Sequence, residues 1–166
     1  SSMYANEITA TFEAALASVP YAIGVNNHMG SVLTASGQAL QPLMNVIKHT
    51  GLFFVDSRTT RFTVAQQVAR EKQIPNARRH VFLDHEQTEA FMNEQWQRAI
   101  ALTRKHPKVI IIAHPHPGTI EFLQEKLANL PAQHFVLKSM HDYFAKPYTP
   151  QREYASSTQV SVAAPN

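Results

Sequence analysis

The sequence predicts an α/β protein built on a parallel sheet. Three features predict it: five short apolar segments, helical periodicities of about ten to twenty residues between them, and unusual polar residues gathered where the apolar segments end. The 166 residues suffice for one domain with a sizeable core. With 44% hydrophobic and 16% charged residues, the composition is globular and lacks the charge excess that keeps a chain disordered.

The elements follow in order. From Asn6 to Val19, Ile8, Phe12, Ala15, Leu16 and Val19 recur at helical spacing, and Pro20 ends the pattern. "YAIGV" (21–25) is then a short buried strand. Thr34 or Ser36 can cap a helix carrying Leu40, Leu43, Met44 and Ile47 on one face, with Pro42 tolerable only in its first turn and Gly51 closing it. "LFFVD" (52–56) is the second strand, followed by the cap-rich "SRTT" and a helix over 62–72. "HVFLD" (80–84) is the third, followed by a long helix with Met92, Trp96, Ala99, Ile100 and Thr103 on one side. "KVIIIA" (108–113) is continuously apolar, as a strand covered on both faces should be. Then come "HPHPGT", a helix over 119–130, a fifth strand "HFVLK" (134–138) and a short helix "SMHDYFA". Residues 1–146 thus form the α/β domain, and 147–166 read as a polar tail.

In parallel α/β folds the strand-to-helix loops share the carboxyl ends of the strands, where active sites sit. Here those loops read "NNHMGS", "DSRTT", "DHE", "HPHPGT" and "KS", while the helix-to-strand loops are bland. The asymmetry places His28, His114 and His116 on one rim, with His85 beside them. Imidazole is the commonest protein metal ligand, and a catalytic zinc site takes three N or O ligands with one position left open. Asp56 and Asp84, each ending a strand, are available as ligand, general base or orienter of a histidine ring. Structural readings stand beside these: "HPHP" as a rigid turn, Asn26 and Asn27 as tolerant of left-handed backbone, Asp56 as a helix cap.

Some classes are excluded. The net charge of +3 is spread along the chain, which argues against nucleic acid as partner. The absence of cysteine excludes a disulfide framework and a thiolate metal site. No apolar stretch approaches the roughly 20 residues of a membrane span, and "SSMYANEI" has no targeting signal.

The blocks "VPYAIGVNNHMGS", "LFFVDSRTT", "ARRHVFLDH" and "IIIAHPHPGTIEFLQEKLANLP" resemble, in unbroken order over residues 6–146, the divergent polysaccharide deacetylase family, relatives of the NodB-like carbohydrate esterases. The resemblance implies a deformed (β/α) barrel with a divalent metal, usually zinc, at its carboxyl face. It also implies a periplasmic or exported bacterial setting and hydrolysis of N-acetyl groups on an amino-sugar polymer. Family members open with a strand ending in an aspartate pair, followed by further strands. This sequence resembles the carboxyl-terminal part of the domain, apparently lacking its first strands. The expected aspartate would come from the remaining part or from a second chain that completes the barrel, and these residues alone should be a poor enzyme.

On that resemblance His28 and His114 are the expected metal ligands and His116 the acid that protonates the leaving amine. Asp56 orients a ligand or contacts substrate, Asn26, Asn27 and Ser57 are the expected substrate contacts, and Arg79 is expected in a structural ion pair. The contrasting reading is a catalytically silent envelope protein that binds glycan or a protein partner. A phosphate module built on Gly30 and Ser31 is weaker, because that loop holds no Lys or Arg.

Overall fold

The computed structural model describes residues 2–130 and 134–145. The tail expected over 147–166 lies outside the described residues. Helix α1 spans Ser2–Ala17. It lays Phe12 and Leu16 against the core, and stops before Val19, which is exposed.

Strand β1 is Gly24–Asn26, later than "YAIGV" suggests. Tyr21 is 92% exposed and precedes the sheet rather than joining it. Gly24 is required here, since a Cβ would overlap the ring of Phe53 on the paired strand. A one-turn helix, α2 (Ser31–Thr34), follows Gly30, whose φ of 72° suits glycine. Helix α3 is Gly37–Thr50, capped by the Ser36 hydroxyl, which accepts from the Ala39 N–H. Pro42 lies in its second turn, beyond the expected first. The helix tolerates the lost donor because Leu40, Met44 and Ile47 anchor its buried face.

Strand β2 (Phe53–Asp56) pairs in parallel with β1 on one side and with β3 (Asn76–Arg78) on the other. Helix α4 (Ala65–Glu71) makes the crossover. The chain then shifts partner: β4 (Val81–Phe82) pairs in parallel with β5 (Ile111–Ile112), across helix α5 (Glu89–Thr103). The segment 76–82 is therefore the shared seam between a three-stranded and a two-stranded sheet. Helix α6 (Pro117–Ala128) follows, with Pro117 at the first position, where a missing N–H costs nothing. Helix α7 is Met140–Ala145.

Period-two alternation decides which side each residue serves. Phe54 joins Leu40, Met44, Ile47, Val68 and Ile74 under α3 and α4. Its neighbours Phe53 and Val55 face the other way, where Val55, Ala77 and Ile110 are covered by Met140, Tyr143 and Phe144. Leu83, Met92, Trp96, Phe122 and Leu130 form the remaining core between α5 and α6.

One expectation holds in its coarser part, a parallel α/β fold, and one is corrected. The sheet is small, and among the described residues it does not close into a barrel. "HFVLK" forms no strand: His134 has a φ of 62°, Phe135 folds back onto the α5–α6 core, and Val136 and Leu137 are exposed. Its composition favours a strand, but among the described residues no strand pairs with it. Among the described residues no helix is long and apolar enough to cross a membrane.

Candidate active site

The carboxyl end of each strand delivers one part of a polar rim. Asn26 ends β1, Asp56 ends β2, Asp84 follows β4, and His114 follows β5. The first two loops are stitched together. The Asn26 amide donates to Ser57 Oγ at 3.0 Å, the Ser57 N–H donates to Asn27 Oδ1 at 2.8 Å, and the Thr59 hydroxyl donates to the Met29 carbonyl at 3.1 Å. Met29 takes a left-handed φ of 56° to make this turn. The expected substrate contacts Asn26, Asn27 and Ser57 are thus brought together, with much of their bonding capacity spent on one another. Asn27 Nδ2 is buried without a partner among the described residues.

Asp56 is 2% exposed, and its oxygens accept from the Arg58 N–H at 2.8 Å and the Thr63 hydroxyl at 3.0 Å. This carboxylate organises its own loop and caps no helix: α4 begins at Ala65, and its N-cap Val64 makes no side-chain cap bond. Arg79 makes no ion pair among the described residues. Its guanidinium donates instead to the carbonyls of Ser57 and Arg58, while its backbone N–H donates to the Asp56 carbonyl. Burial, and next the charge of Arg58, lower its pKa from the usual arginine range.

Asp84 is the best-connected group of the rim. Its side chain is fully buried. One oxygen faces His114 Nδ1 at 3.2 Å; the other accepts from the His114 N–H at 2.8 Å and the Thr119 hydroxyl at 2.9 Å. A carboxylate can only accept here, so Nδ1 carries the proton and Nε2 is left as the free lone pair. His114 is 35% exposed in its side chain, so that nitrogen can be reached from solvent.

His28 and His116 flank it. The His28 ring stands edge-on to His114 with centroids 5.9 Å apart, and His116 lies 5.3 Å from His114 on the other side. His116 Nε2 is 3.1 Å from the Gln87 amide nitrogen. His85 leans on Phe82 and Phe91. His28 follows β1 of the three-stranded sheet and His114 follows β5 of the two-stranded one. The loops that leave these two strands nonetheless bring the rings together.

The donor set suits a divalent cation. Asp84, His114 and His116 each offer an atom within 4.8 Å of the others. Ligands on a tetrahedral zinc lie about 3.3 Å apart, so small side-chain rotations would suffice. Two imidazoles on one such ion have centroids roughly 5 Å apart, close to both observed ring pairs. Thr119 and Gln87 were not singled out in the sequence, because a threonine in a first helical turn and a glutamine after "DHE" look like ordinary surface residues. Only the pairing of β4 with β5 sets them against Asp84 and His116.

A model of the divergent polysaccharide deacetylase family matches residues 1–144. The chain belongs to that family. It is 39% identical over 137 residues to the uncharacterized protein YibQ of Escherichia coli, covering 82% of this chain and 43% of YibQ. It is 46% identical over 110 residues to an uncharacterized protein of Haemophilus influenzae, covering 66% of this chain and 39% of that one. A crystal structure of an uncharacterized Agrobacterium tumefaciens protein shares the fold, with a TM-score of 0.64 at 24% identity over 67% of this chain and 45% of its own. The chain therefore spans under half the length of these relatives.

Proposed function

We propose that this chain carries the metal-binding face of a deacetylase that hydrolyses N-acetyl groups on an amino-sugar polymer, in a periplasmic or exported setting. Family membership supports the reaction class, and one observation carries the site: three histidines from two strand ends face one another, with a buried aspartate fixing the ring of the central one. His28 and His114 would hold the ion, which is zinc on the preference of that metal for imidazole and carboxylate donors. When bound, the ion supplies Lewis acidity toward an acetyl carbonyl.

The chain's own groups do the rest. Asp84 holds His114 in one tautomer, with Thr119 and the His114 N–H fixing the carboxylate in turn. His116 stands ready to give a proton to the departing amine. Both strand-end carboxylates are already committed, Asp56 to its loop and Asp84 to His114, so neither is free as the general base. We assign that role to an aspartate outside these 166 residues, in a (β/α) barrel completed by further strands or by a second chain.

The same commitment of Asp56 and Asp84 favours a second reading, a catalytically silent protein that binds glycan or a protein partner. Elemental analysis and acetate release separate the two. Stoichiometric zinc lost in His28→Ala, with acetate freed from chitooligosaccharide or peptidoglycan fragments by the whole protein, supports the deacetylase. Absence of both would leave the binding protein. The Asp84–His114 pair also fits a proton donor, since a carboxylate stabilises imidazolium. If His114→Ala keeps its zinc and His116→Ala loses it, the roles of the two histidines are exchanged.

A further inference from the structure

The charge that looks scattered along the sequence is gathered in space. Arg58, Arg61, Arg70 and Arg78 line one open cleft together with Thr63, Gln66, Gln67 and Asp56. Four of the chain's 15 basic residues therefore meet at one place. Among the described residues none of the four forms an ion pair. Asp56 is the only carboxylate in the lining, and its oxygens accept from the Arg58 N–H and the Thr63 hydroxyl. Glu71, the nearest acid in sequence to Arg70, accepts from Gln67.

Guanidinium groups repel one another, so four of them around one cleft whose single carboxylate is already hydrogen-bonded to its own loop favour the entry of an anion. The local structure maintains the arrangement. Arg58 has a left-handed φ of 52°, rare for a residue with a side chain, and it is pinned from both sides: Asp56 accepts from its N–H, and Arg79 donates to its carbonyl at 2.8 Å. Arg78 ends β3 in register with Asp56. The cleft thus sits on the carboxyl side of β2 and β3, and Ser57, next to its Asp56 wall, bonds the loop that carries His28.

We propose that this cleft is an anion subsite that takes a carboxylate or phosphate group borne by the glycan, so that the substrate is an acidic rather than a neutral amino-sugar polymer. Arginine forks match both anions through paired N–H donors, and the amides of Gln66 and Gln67 add neutral ones. The identity of the polymer rests on the deacetylase reading; the binding of an anion does not.

The test uses the full chain, Arg61→Gln/Arg78→Gln as the double variant, and His28→Ala as a control. Calorimetric titration with inorganic phosphate and with acetate should show binding that weakens at least tenfold in the double variant and is unchanged in His28→Ala. An N-acetylated saccharide bearing an ether-linked carboxylate, or a phosphorylated one, should bind at least tenfold tighter than a neutral oligomer of equal length, and the double variant should erase the difference. Whichever acidic saccharide shows that advantage identifies the source of the anion. The proposal is overturned by phosphate and acetate binding that the double variant does not change, by no binding of either anion, by equal affinity for acidic and neutral saccharides, or by short duplex DNA outcompeting them all. Loss of zinc or of acetate release would sink the deacetylase reading alone, since the ion titrations need neither.

Discussion

Asp84 shows how one residue can set the character of a site through the neighbours it holds. Its buried carboxylate accepts three hydrogen bonds, two from His114 and one from Thr119, and leaves His114 Nε2 as the free nitrogen. In Asp84→Asn the amide can no longer accept from every partner, and the His114 ring loses its fixed tautomer. Zinc affinity should fall about 10- to 100-fold, read by competition with a chromophoric chelator. Thr119→Val should cost less, since two of the three bonds remain. An unchanged affinity in Asp84→Asn would mean that His114 is not a ligand. At this scale the sequence was readable in part. His28, His114 and His116 stood out because histidines at strand exits have no structural reason to cluster, and the fold brings their rings together. The role of Asp56 is less legible, because a strand-end aspartate before "SRTT" can be a ligand, a base or a cap, whereas its bonds to Arg58 and Thr63 fold the loop after β2 and cap no helix.

At the scale of elements, strand pairing decides what composition leaves open. β1 can approach β2 only because Gly24 leaves room for the Phe53 ring. Gly24→Ala should push the strands apart and cost about 1–3 kcal/mol in urea denaturation, an overpacking cost. Met44→Ala, at a fully buried position of α3, should cost about 2–5 kcal/mol by the opposite mechanism, an unfilled cavity. The β4–β5 seam carries a titration. His80 Nδ1 accepts from the Ile110 N–H at 3.0 Å, which requires it to be unprotonated. Burial first, and then the nearby charges of His106, Arg78 and Arg58, lower its pKa from the ordinary 6.5. Above 6.5 both folded and unfolded states are neutral and the seam is intact. As pH falls below 6.5 the unfolded chain takes up the proton first, so stability declines until pH passes the lowered folded value. Tm should drop over that window, and His80→Gln should flatten the drop. The misread strand at 134–138 belongs here too, because apolar residues form a strand only where a neighbour offers its edge, a fact no local pattern contains.

At the scale of the whole molecule, the site joins the two sheets. His28 leaves β1 and His114 leaves β5, with β2 and the 76–82 seam between them. A cation held by both would cross-link β1 of the three-stranded sheet to β5 of the two-stranded one, so its free energy of binding would act on the fold and not on one loop. A ligand bound only by the folded state stabilises it by about 2.7 kcal/mol at a hundred times its Kd. Thermal unfolding should therefore shift upward with zinc concentration and fall back in EDTA. His28→Ala, exposed on its loop, should leave the metal-free Tm nearly unchanged while removing most of the zinc-dependent rise. His116→Ala should remove less of that rise if His116 is the proton donor, and as much if it is a ligand. A zinc response that survives His28→Ala in full would place the ion on the Asp84, His114 and His116 group alone, and the link between β1 and β5 would then be absent.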